Sequence, residues 1–185
     1  MTLSMYEASV PVFSARLKAL SGVLSAAEQN ATERKIDPQV FLTARLAPDM
    51  YALVRQVQVA TDHAKGAPSR LARREVPKYE DNEATFAELQ ARLTKTLDLL
   101  ASFSAAEFDG SDERVVELKF GQREASMPGM QYLLHVAMPN FYFHVTTAYD
   151  ILRHNGVPLT KGAYLGNRWR IARCEVSRPL PGNLV

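Results

Sequence analysis

The stretch Met130–Gly156, MQYLLHVAMPNFYFHVTTAYDILRHNG, decides the fold. Met130, Leu133, Ala137, Phe141, His144, Ala148 and Ile151 recur at steps of three and four, the spacing that lines one face of a helix. Ser126 and Pro128 mark the start of this helix. Gly156 suits a left-handed C-terminal cap, with Pro158 beyond it. His144 therefore points inward. Asn140 precedes it by four residues, and at about 100° per residue the two lie within about 40° of each other. Two polar side chains one turn apart in an oily seam cost a few kcal/mol unless each finds a partner. They are expected either to satisfy one another and a neighbour such as Thr61, or to line a small pocket.

Upstream, Tyr6, Val10, Phe13, Leu17, Leu20, Leu24 and Ala27 predict a first long helix, with Pro11 kinking it or marking a later start. Asp37-Pro38 opens a short connecting helix. Pro48 reads as a second first-turn proline, leading through Met50, Leu53, Val57, Thr61, Ala64 and Leu71 to about Arg73; Gly66 and Pro68 weaken the last turns. A cap just before Glu83 starts a third helix with Phe86, Leu89, Leu93, Thr96, Leu97 and Leu100 inside, and Glu88, Arg92 and Lys95 facing solvent. Val115, Val116, Leu118 and Phe120, then Gly121-Gln122 and a second extended run from Arg123, predict a hairpin. The expected architecture is all-α: an antiparallel four-helix bundle with a short β-hairpin insert before the last helix. A bundle domain over 1–166 is followed by an irregular basic C-terminal tail, 167–185, bearing Arg168, Arg170, Arg173 and Arg178.

Composition narrows the classes. A chain of 185 residues, 46% hydrophobic, can fill one core, and a net charge of +2 lacks the excess of a dedicated nucleic-acid binder. Cys174, the single cysteine, excludes an internal disulfide framework and fits a reducing compartment. The N-terminus lacks a signal-peptide pattern, and no window reaches the roughly 18 apolar residues that cross a bilayer. A cytoplasmic protein without a membrane partner is expected.

Of the remaining histidines, His135 is out of register with the stripe and His154 sits in the last helical turn, where it favours the dipole. His63 falls at the flank of the second long helix, turned toward His144 or left at the rim. A catalytic zinc wants about three His, Cys, Asp or Glu ligands, and His144, His63 and the weak neutral donor Asn140 fall short of that set. No HExxH, glycine-rich phosphate loop or GxSxG elbow occurs.

The runs LLHVAMPNFYFHVTTAYDILRHNGV, Leu133–Val157, and VPKYEDNEATFAELQARL, Val76–Leu93, resemble the bacterial family catalogued as domain of unknown function 1993, over about Met5 to Gly166. That family is similar to the DinB/YfiT-like superfamily, four-helix bundles counted as metalloenzymes, many of which pair as dimers. The resemblance implies one metal histidine on the second long helix and two, four apart, on the last. His63 is the histidine available for the first; His144 matches the second of the final pair, and the first of that pair falls on Asn140. His144, Asn140 and His63 therefore form the candidate ligand pocket. No resident cofactor is assigned, since the set for a divalent metal is incomplete. The leading expectation is a non-catalytic or vestigial homodimer that binds a small molecule or serves as a scaffold. The alternatives are a metal-dependent hydrolase or thiol transferase around His144, and nucleic-acid binding through the basic tail.

Overall fold

The computed structural model describes residues 4–120 and 123–166. They form a mostly helical protein with one two-stranded antiparallel hairpin. The expected boundary after Gly166 and the basic tail over 167–185 concern residues outside this range.

Helix α1 spans Met5–Arg34. Ser4 Oγ accepts the Glu7 N–H at 3.1 Å, and Lys35 closes the helix at φ 56°. Of the two outcomes weighed for Pro11, a delayed start does not occur: the helix runs through it, because the start is capped about two turns upstream. Helix α2, Pro38–Leu42, is capped by the Asp37 carboxylate. Helix α3 spans Leu53–Leu71, so Pro48 does not start it. That proline lies instead in the turn closed by Met50 N–H donating to Ala47 O at 3.0 Å. Helix α4, Phe86–Ala101, begins later than the Asp81-Asn82 signal suggested, because Thr85 and Glu88 form a reciprocal capping box. A 3₁₀ turn over Ala105–Phe108 leads to β1, Val115–Phe120, and β2, Arg123–Pro128. Val116 pairs with Met127 and Leu118 with Ala125; Val116 and Leu118 turn toward the body while Val115 is exposed.

The chain then enters α5, Gly129–Tyr132, a π-helical turn, Leu133–Ala137, and α6, Met138–His154, which follow one another without a break. The π-turn adds a residue to the helical repeat and rotates everything before it. Met130, expected inside, is accordingly exposed, and Gly129 and Tyr132 are buried instead. Gly156 takes φ +87° after the last turn. The short helix α7, Lys161–Leu165, which periodicity did not announce, packs on α1, where Arg16 Nη1 donates to Tyr164 O at 2.7 Å.

Helices α1 and α3 each pack against both α4 and α6, so the core lies between these four. Phe13 of α1 meets Phe141 of α6 edge to face at 4.8 Å, both fully buried. Among the described residues, no helix is long and apolar enough to cross a membrane.

Arg92 corrects the exposed face drawn for α4: it is only 3% exposed. Its Nε donates to Thr61 Oγ1 at 2.6 Å, and its Nη atoms meet Asp62, Asp81 and Glu83, each at 3.0 Å. A guanidinium carries five donors in a fixed fork, so one arginine ties α4 to α3 and to the segment before Thr85.

Candidate functional site

Helix α3 has two polar flanks beside its apolar stripe. Gln58, Thr61, Asp62 and Lys65 serve the Arg92 cluster. On the other flank, Gln56 and His63 lie seven residues apart, hence within about 20° of each other at about 100° per residue, and face α6. The heptad spacing brings both to the same seam as His144.

His144 is 8% exposed, and its Nδ1 lies 2.7 Å from Gln56 Oε1. Gln56 Nε2 donates to Tyr51 O at 3.0 Å, which fixes the orientation of a nearly fully buried amide. Its oxygen therefore faces the imidazole, and an oxygen can only accept. His144 Nδ1 consequently carries the proton, and Nε2 keeps its lone pair. The sole buried side-chain N or O without a partner among the described residues is Ser111 Oγ. Nε2 bonds none of the described residues. Burial lowers the His144 pKa to about 4, with His63 and the Arg55 guanidinium pushing the same way, so the ring is neutral near pH 7.

His63 is half-buried beside it, the ring centroids 6.1 Å apart and the planes within 14°. Neither of its nitrogens bonds a described residue. Burial lowers its pKa as well; Asp62 opposes that shift, and Arg70 and Lys65 reinforce it. The Tyr51 ring lies 6.5 Å from His144 and nearly parallel to it, and Phe143 stands edge-on at 5.2 Å. Tyr51 and Phe143 are each about half exposed, at 52% and 54%. The result is a pair of stacked imidazoles whose nitrogens other than His144 Nδ1 bond no described residue, with half-exposed aromatic rings beside them.

Asn140 does not join it. On the wheel of α6 it falls about 40° further from the core than His144, and it is exposed. Its Nδ2 donates to Val136 O at 2.7 Å, taking up a carbonyl of the π-turn. Thr61, the other expected partner, sits on the opposite flank of α3, where it donates to Gln58 O and accepts from Arg92. His135 and His154 are both exposed.

The tautomer of His144 is the one a metal ligand needs. The donor set is nevertheless short: among the described residues no group of three or more His, Cys, Asp or Glu side chains is assembled, and the third position implied by the resemblance is the outward-facing Asn140. The residues present do not fit a three-histidine metal centre.

Sequence reasoning missed Gln56 and Arg92. The first had a usable signal, since it stands one heptad before His63 on the same flank. The second had none, because a lone arginine among charged neighbours reads as surface. Around Arg92, Tyr79 receives three cations over its ring, with Lys65 at 4.8 Å, Arg92 at 5.1 Å and Lys95 at 4.3 Å.

Comparison with known proteins agrees with this architecture. A crystal structure of a DinB family member protein from Shewanella denitrificans is 41% identical, with a TM-score of 0.83, covering 88% of this chain and 92% of that one. A search of curated proteins returns no match. Residues 5–165 match the family described as Domain of unknown function (DUF1993). With the match covering most of its length, and a DinB family member so similar in structure, this chain belongs to the DUF1993 family and is DinB-like.

Proposed function

We propose that this protein is an antiparallel four-helix bundle over residues 1–166 with a basic tail over 167–185, working as a cytoplasmic homodimer. It binds a small uncharged molecule between His144 and His63, without a three-histidine metal centre and without catalysis of its own. The observation that carries the reading is the pairing of a tautomer-locked, neutral His144 with an outward-facing Asn140. The seam holds two imidazoles whose remaining nitrogens bond no described residue, without the third donor that a three-histidine metal centre requires. The dimer is supported by the outer side of the last helical run, where Met130 and Leu134 stand about half exposed at 48% each.

Elemental analysis of protein purified without chelator tests the central claim: less than stoichiometric zinc, nickel or manganese is expected, and unchanged melting after chelation. One metal per chain, lost in His144→Ala, would replace this reading with the metal-dependent enzyme. Light scattering across micromolar concentrations checks the dimer, and a monomer throughout would remove that part.

A further inference from the structure

We propose that Gln56 is a positioning residue that sets the ligand class of the site: by holding His144 as the Nδ1–H tautomer it leaves the Nε2 lone pair free, and so selects an uncharged hydroxyl compound, an alcohol or a phenol, over a carboxylate or phosphate. This rests on the metal-free reading of the same site.

The selection follows from donor and acceptor matching. The chain Tyr51 O, Gln56 Nε2–H, Gln56 Oε1, His144 Nδ1–H has one direction, set by a backbone carbonyl that can only accept. It ends at Nε2, a lone pair that accepts a hydrogen bond and repels an anionic oxygen. A carboxylate carries no proton to donate to that lone pair. A hydroxyl both donates and accepts. It donates to His144 Nε2, and its own lone pairs remain free for a second donor; His63, stacked beside the His144 ring, bonds no described residue, and none dictates its tautomer. Tyr51 and Phe143, half exposed at 6.5 and 5.2 Å from the His144 ring, offer π surface beside that hydroxyl and favour an aromatic one.

The test uses the full chain, ¹⁵N-labelled at histidine, with phenol and acetate as probes. Long-range proton–nitrogen spectra at neutral pH are expected to show His144 Nδ1 protonated and Nε2 bare, and phenol to shift the Nε2 resonance while acetate does not. Gln56→Met removes the lock: the two tautomers mix, and phenol binds about two- to fivefold more weakly, in proportion to the Nδ1–H tautomer lost. Gln56→Glu puts a carboxylate on Nδ1–H, favours the imidazolium with its Nε2–H donor and inverts the preference toward acetate. The wild-type spectrum requires no variant to fold, so it decides even if Gln56→Met melts below room temperature. A wild-type His144 protonated at Nε2, acetate bound in preference to phenol, or Gln56→Met with tautomer and phenol affinity unchanged would each overturn the inference. Stoichiometric metal on an intact Nδ1–H tautomer would instead overturn the proposed function.

Discussion

Replacing Arg92 with methionine keeps most of the side-chain volume and deletes one buried charge. In the folded protein Arg92, Arg55 and Lys65 balance Asp62, Asp81 and Glu83, so the variant leaves three carboxylates facing two cations. Removing one partner of a buried ion pair costs about 3–5 kcal/mol, because the charge left behind has neither water nor counter-ion. Here the penalty falls toward the lower end, as the Asp62 and Asp81 side chains keep about a third of their exposure while Glu83 keeps 11%. Thr61 loses a donor but still donates to Gln58 O, so it adds little. The expected loss is about 3 kcal/mol, a melting temperature lower by about 6–12 °C for a chain of this size. Urea unfolding followed by circular dichroism measures it directly, with an unchanged slope showing that only the native state was affected. Arg92→Lys, which keeps the charge but not the fork, should fall between wild type and Arg92→Met. A loss under about 1 kcal/mol in Arg92→Met would refute the reasoning, showing that the carboxylates are solvated without their arginine.

Other perturbations read other parts of the molecule. His144 has a folded pKa of about 4 against 6.5 for an ordinary histidine, so as pH falls the unfolded chain takes the proton first: stability is full above pH 6.5 and is lost toward pH 4, by at most about 3 kcal/mol. His144→Gln should flatten that part of the stability–pH curve, and a wild-type curve no steeper than the variant's would contradict the burial argument. Phe141→Ala, which empties a fully buried site against Phe13, is expected to cost about 3–5 kcal/mol in urea unfolding; a loss below about 1 kcal/mol would place the ring outside the core. At Gly129 an added Cβ would lie 1.9 Å from Ser111 O and 2.8 Å from Leu71 Cδ2. Gly129→Ala should therefore cost about 3 kcal/mol, the upper end of overpacking, and an unchanged melting temperature would mean that the hairpin exit relaxes freely.

The candidate site was half legible. His144 stood out because it occupies an apolar register in a long periodic segment, and His63 because it is the one histidine on its helix. Their approach to 6.1 Å, and the amide that orients one of them, were not visible, since each depends on how α3 is rotated against α6. Asn140 shows the reverse error. An offset of about 40° on a wheel separates a buried flank from solvent only when the neighbouring helix is in place.

What the sequence determined by itself is local. The three-and-four spacing of Val10, Phe13, Leu17, Leu20 and Leu24 makes a helix that must bury one face, and alternation around Gly121-Gln122 makes a hairpin, because both depend on geometry within a few residues. The tertiary structure decided what is long-range. Arg92 became interior only when Asp62, Asp81 and Glu83 converged from separate segments, and His144 acquired its tautomer from Gln56, 88 residues away. A charge or a proton is placed by its partners in space, and spacing along the chain carries no record of them.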